Sequence, residues 1–187
     1  MSFEFKELEI KGVFLIKPHI FIDDRGIYKK TYYEPEFKKY GLPSFFSETS
    51  DIISSKGAIR GLHFQEKNSQ AKLIHVIKGK LYDAIIDLRP NSESFGKHIE
   101  LELNSDDNLV LFIPENFAHG FMALEDNTIF SYQCSGAYDP SLCGGLRWND
   151  PYFNIDWPIK DINKLIITEK DKNWETFEEY KRKRGIL

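Results

Sequence analysis

Strict alternation of polar and apolar residues runs through Lys97-His98-Ile99-Glu100-Leu101-Glu102-Leu103. Successive side chains on a strand point to opposite faces, so Ile99, Leu101 and Leu103 are predicted to share the buried face of a half-buried strand. Further short strands are predicted at Ala71 to Ile77, Leu81 to Leu88, Asn108 to Ile113, Phe121 to Leu124 and Thr128 to Cys134. Gly79 and Pro90-Asn91-Ser92 mark reversals of the chain. Strands this closely spaced, with no helix among them, predict a mostly β fold, an antiparallel sandwich or barrel, and argue against a parallel sheet.

Helical patterning sits at the edges. Pro35-Glu36-Phe37-Lys38-Lys39-Tyr40 ahead of Gly41 predicts a short helix with proline in its first turn and glycine closing it. Trp174, Phe177 and Tyr180 recur every three residues along Lys172 to Tyr180, which predicts one amphipathic helix with an aromatic packing face. No repeat, low-complexity tract or linker divides the chain, and its 187 residues, 41% of them hydrophobic, suffice for one core. Residues 1–187 are therefore expected to form a single domain.

A formal net charge of -4 offers no field that would gather nucleic acid, so any phosphate contact must come from a local basic cluster. No apolar run approaches the roughly 20 residues of a membrane span. Met1-Ser2-Phe3-Glu4-Phe5-Lys6 lacks the basic-then-apolar layout of a secretion signal, so a cytoplasmic protein is expected. Cys134 and Cys143 match no disulfide framework or zinc spacing and read as structural thiols.

Three segments carry residues suited to chemistry. In Ile59-Arg60-Gly61-Leu62-His63-Phe64-Gln65, read as a strand, His63 shares a face with Gly61 and Gln65, opposite Leu62 and Phe64. Gln70-Ala71-Lys72-Leu73-Ile74-His75 sets a lysine at the start of an otherwise apolar strand, and Pro114-Glu115-Asn116-Phe117-Ala118-His119-Gly120-Phe121 boxes a histidine between aromatics. From the residues alone two readings stay open. Lys72 and His119 are functional, or Lys72 snorkels to a rim while His119 bonds a backbone carbonyl.

RGLHFQ at Arg60 to Gln65, QAKL at Gln70 to Leu73, DLRPNSESFG at Asp87 to Gly96, IPENFAHGF at Ile113 to Phe121 and RWNDP at Arg147 to Pro151 resemble, in order, the signature segments of the dTDP-4-dehydrorhamnose 3,5-epimerases. The resemblance runs from about Gly12 to Asp171. It implies a cupin-type jelly roll with short peripheral helices and a C-terminal helical segment, acting without a cofactor on a nucleotide-linked 4-keto-6-deoxy sugar, and a homodimer. Metal-binding cupins begin their ligand set with His-x-His, where this chain has His63-Phe64-Gln65. One imidazole is not a metal site, so no metal is expected.

The resemblance also implies roles. His63 would be the base at C3 and C5, since an imidazole of ordinary pKa ~6.5 accepts a proton near neutrality. Asp171 would orient it, with Asp83 as the rival orienter. Tyr132 would return a proton on the far face, and Lys72 would stand beside the C4 oxyanion. Arg25, Arg60 and His119 correspond to groups that hold the diphosphate, with Arg25 reaching into a partner's site. Tyr138 corresponds to an aromatic that stacks on the base, and a corner-filling tyrosine is the alternative. Lys30, Glu48, Ser50 and Lys170 fall at further substrate-binding positions.

Departures bear on substrate choice. Lys30 replaces a glutamate, Glu48-Thr49-Ser50 replaces Gln-x-Asn, and Cys143 stands at a position where the family carries glutamate. Such swaps spare the proton chemistry and change complementarity to base or sugar. A CDP-linked substrate therefore stays open; inversion at only one carbon and, from other classes, a non-catalytic sugar-nucleotide-binding cupin and a metal-dependent cupin dioxygenase are the further alternatives.

Overall fold

A computed structural model describes residues 3–160 and 162–186. Met1 and Ser2, part of the stretch considered for a leader, lie outside the described residues. Two antiparallel sheets pack face to face. One has the order β1 (Glu4–Glu7), β2 (Phe14–Lys17), β10 (Val110–Ile113), β7 (Lys72–Lys78), β12 (Thr128–Cys134), β5 (Glu48–Ser54). The other has the order β13 (Cys143–Gly145), β6 (Ile59–Gln65), β11 (Phe117–Ala123), β8 (Lys80–Asp87), β9 (His98–Asn104). A separate hairpin joins β3 (His19–Asp23) to β4 (Gly26–Lys30). The expected mostly β jelly roll is thus a sandwich, built from crossovers between non-consecutive strands.

Alternation decides what each face buries. Ile74, Val76, Leu111, Ile113 and Phe130 of the first sheet meet Leu81, Ile85, Ile99, Leu103, Phe117 and Phe121 of the second in the core between them. Each such side chain contributes about 1.5–3 kcal/mol of burial. Strand β9 follows its predicted pattern at Ile99 and Leu103, while Leu101 is only partly buried. Strand β11 shows no alternation because every residue in it is buried. Its inner face looks into the sandwich, and its outer Ala118 and Met122 lie under Leu146, Phe153, Trp157 and Phe177. That double burial moves the strand's start to Phe117, four residues earlier than predicted, and β10 begins at Val110 rather than Asn108.

The outer face of the first sheet is covered by α1 (Glu34–Lys39), with Phe37 and Leu42 against Ile16, Leu73 and Phe112. Gly41, at φ +69, closes the helix. Its N–H donates to the Lys38 carbonyl and that of Leu42 donates to the Phe37 carbonyl, the paired bonds of a Schellman ending.

The single aromatic helix predicted over Lys172 to Tyr180 is not formed. Two helices, α2 (Glu169–Lys172) and α3 (Phe177–Lys183), flank a break. Thr176 caps α3 in a reciprocal capping box with Glu179, and Glu175 bridges to Leu146 as a short parallel pairing. Local capping and that long-range bond outweigh helix continuity, so Phe177 and Tyr180 enter the apolar layer while Trp174 turns elsewhere.

Candidate active site

Strand β6 carries Leu62 and Phe64 outward into the apolar layer and His63 inward. The register slips between the His63–His119 and Arg60–Phe121 pairs, so Ile59 and Leu62 both face outward. His63 is flanked in its sheet by His119 of β11 and Gly145 of β13. Its Nε2 lies 2.6 Å from Oδ1 of Asp171, although 108 residues separate the two. Asp171 is buried on α2, where its backbone N–H donates to Oγ1 of Thr168. Burial would raise its carboxyl, but bonds from His63, Trp174 and Thr168 outweigh that and hold it below the ordinary carboxylate range. An ionised Asp171 accepts the Nε2 proton, which leaves Nδ1 of His63 with the lone pair.

The rival orienter, Asp83, serves another histidine. Its Oδ1 lies 2.7 Å from Nε2 of His119, and both side chains are buried. Burial dominates both groups, pushing Asp83 up and His119 down, so their charged forms are disfavoured. His119 therefore bonds a carboxyl, contrary to the backbone-carbonyl alternative.

The first sheet supplies the opposite wall. Lys72, at the start of β7, is 5% exposed, and its Nζ donates to the Gln70 carbonyl at 3.1 Å. It does not snorkel to a rim. Desolvation lowers its pKa, partly countered by the thiols of Cys134 and Cys143. Tyr132 on β12 stacks against His119, with centroids 6.0 Å apart and planes at 26°. Burial, and then Cys134, Asp83 and Glu48, push its phenol well above the usual value, so it is protonated at rest. Glu48 and Ser50 of β5 share the inward face, with Ser50 directly across from Tyr132 and its hydroxyl donating to Glu48 at 3.3 Å. Cys134 is buried and its thiol is pushed up to about 11 by burial, which suits a structural role.

The remaining expected residues lie farther out. Lys170 is exposed, 4.0 Å from Sγ of Cys143 and over the ring of Trp174. Arg60 is exposed on β6. Tyr138 is 55% exposed on a loop tied to β6 through bonds of Gln65 with Ala137 and Asp139. Arg25 sits at the tip of the β3–β4 hairpin, paired with Asp23 at 2.6 Å, and Lys30 lies over the ring of Tyr33. The described contacts do not join Arg25 or Lys30 to the cleft. No group of three or more His, Cys, Asp or Glu side chains arranged to hold a metal ion occurs among the described residues.

Trp174, read from its spacing as a packing residue, stands in the site. Its Nε1 donates to Oδ1 of Asp171 at 3.1 Å. The one local signal was the Gly144-Gly145 pair in a strand, where missing side chains admit a close neighbour.

The family model described as dTDP-4-dehydrorhamnose 3,5-epimerase matches residues 7–179. The chain belongs to this family. The dTDP-4-dehydrorhamnose 3,5-epimerase of Methanothermobacter thermautotrophicus is 40% identical over 178 residues, 95% of this chain and 96% of the relative. The crystal structure of the Elizabethkingia anophelis dTDP-4-dehydrorhamnose 3,5-epimerase superimposes with a TM-score of 0.89 at 36% identity, covering 95% of this chain and 97% of that one. A Legionella pneumophila structure, solved with dTDP-4-keto-L-rhamnose, gives 0.88 at 28% identity, covering 94% and 93%. As a dTDP-4-dehydrorhamnose 3,5-epimerase family member the chain is an isomerase.

Proposed function

We propose that the chain inverts C3 and C5 of dTDP-4-dehydro-6-deoxy-D-glucose to give dTDP-4-dehydro-L-rhamnose, with His63 as base, Tyr132 as acid and Lys72 as oxyanion partner. One observation carries the reading: His63, paired with Asp171 of α2, stands on one sheet, and Tyr132 and Lys72 stand on the other. A sugar ring held between the sheets meets a base on one face and an acid on the opposite face. Nδ1 of His63 takes the proton from the carbon, and the electron pair moves into the enolate, whose charge collects on the C4 oxygen. The Lys72 ammonium stabilises that charge in a site of low dielectric. The Tyr132 hydroxyl then delivers its proton to the other face of the same carbon. The step is redox-neutral, and before the second carbon is inverted His63 gives its proton to water and Tyr132 regains one from it.

The diphosphate calls for cations and hydrogen-bond donors; we assign Arg60 and Lys170 to it as cations and His119, whose burial disfavours its charged form, as a ring N–H donor, with Tyr138 against the base. Arg25 and Lys30 need a second subunit to reach a cleft. The β3–β4 hairpin exposes Ile22 (76%), Ile27 (62%) and Tyr28 (58%) and pairs with no other strand of its own chain among the described residues. A homodimer that buries this face is the assembly we propose. No described helix is long and apolar enough to cross a membrane, and we assign the enzyme to the cytoplasm, where nucleotide sugars are made.

Incubation of dTDP- and CDP-linked 4-keto-6-deoxyglucose in heavy water, followed by NMR, tests the reading. Deuterium at both C3 and C5 of the dTDP sugar is expected. Label at one carbon would overturn the double inversion, and faster exchange on the CDP sugar would overturn the thymidine assignment.

A further inference from the structure

Asp171 Oδ1 accepts two bonds, one from Nε2 of His63 at 2.6 Å and one from Nε1 of Trp174 at 3.1 Å. Two donors from different directions fix a carboxylate against rotation, whereas one leaves it free to swing about the bond it makes. The indole is itself held on several sides. Gly145, directly across the strand pair from His63, leaves the space the ring fills: a Cβ there would stand 2.4 Å from Cε2 and 2.6 Å from Nε1 of Trp174. Lys170 places its ammonium 5.0 Å from the ring centroid. The His63 ring meets the indole at 74° with centroids 6.1 Å apart. The backbone on either side is pinned, by Asn173 donating to the Glu169 carbonyl and by Arg147 donating to the Glu175 carbonyl.

We propose that Trp174 is a positioning residue for the epimerisation: its N–H fixes the Asp171 carboxylate in the orientation that sets the tautomer and direction of His63, and its ring face fixes Lys170 beside the same cleft. The inference rests on the assignment of His63 and Asp171 made above and adds a residue to it. Packing alone would explain a large ring against Gly145, but a phenylalanine or leucine side chain would serve packing without a donor. The N–H aimed at the one oxygen that His63 uses is what packing does not require.

The test separates donor from shape. Trp174→Phe keeps an aromatic face for Lys170 and removes the N–H. Benzothienylalanine introduced at position 174 keeps the bicyclic shape and removes only the N–H. In both variants kcat is expected to fall on the order of tenfold, the loss that follows from a misdirected catalytic group, with KM little changed. The acid limb of the pH profile is expected to move to higher pH, because the donor that favours the ionised Asp171 is gone. A benzothienylalanine enzyme with wild-type kcat and an unmoved acid limb would overturn the inference, and this variant decides the matter if Trp174→Phe fails to fold. His63→Ala run alongside tells the two ideas apart. Turnover retained by His63→Ala would remove the assignment beneath the inference, whereas a dead His63→Ala beside an unaffected benzothienylalanine enzyme would overturn the role of Trp174 alone.

Discussion

Replacing Lys72 with methionine should make the protein more stable and nearly inactive. Lys72 as a whole is 5% exposed, and its ammonium has the Gln70 carbonyl as acceptor at 3.1 Å and enters no ion pair among the described residues. Methionine keeps the unbranched stem across from Ile113, its strand partner, while discarding the charge. Exchanging buried charges for apolar groups of similar volume stabilises proteins by up to about 1–4 kcal/mol. Taking the lower part of that range, about 1–2 kcal/mol, the melting temperature of a chain of this size should rise by roughly 2–8 °C. The sign with pH follows from burial, which lowers the lysine pKa in the folded state. The penalty is therefore full below the lowered value and vanishes as pH rises through the ordinary lysine value, so the melting curves of the two proteins should converge in alkali. Loss of the oxyanion partner should cost about 10²–10³ in kcat. Calorimetry across pH and deuterium wash-in from solvent measure both halves. A variant that melts below the wild type at neutral pH, or that keeps its rate, would refute the argument.

Tyr132→Phe should leave exchange of the C3 proton with solvent measurable while product formation falls, because His63 still enolises the sugar and no acid faces it from the other wall; equal loss of both would contradict the division of labour. Burial would raise the Asp87 carboxyl, but bonds from Arg89, Ser94 and Ser92 outweigh it and hold it below the ordinary range. Its share of stability is therefore present above the unfolded carboxylate value of ~3.9 and lost as pH falls through the lowered one. Asp87→Asn should cost about 1–3 kcal/mol at neutral pH, with a gap to the wild type in urea unfolding that closes in acid.

Where one face of a strand is wet, the chain advertises its structure. Strand β9 declares itself through Ile99 and Leu103, and β12 was readable to its last residue. Strand β11 is dry on both faces, so its period vanishes and only Phe121 onward looked extended. The C-terminal misreading has another cause: Trp174, Phe177 and Tyr180 keep helical spacing although Trp174 lies in the break before α3, and what makes that break is the pairing of Glu175 with Leu146, its carbonyl accepting from the Arg147 N–H. In the site, His63 could be placed on the polar face of its strand from alternation alone. Its partner could not, since pairing over 108 residues leaves no local trace, and Asp171 entered only through likeness to known sequences. Trp174 was misjudged because an indole at a helical interval reads the same whether it fills a core or serves a carboxylate.

Asp171 and Trp174 reach His63 from the far end of the chain, on the segment that also roofs Leu62, Phe64 and Met122. All strands of both sheets precede that segment, the last of them ending at Gly145. A chain lacking it would keep every strand yet leave His63 without its carboxylate partner and the outer flank of β6 and β11 bare. Completion of the candidate site and covering of that flank are therefore a single event in the fold, carried by the same short segment.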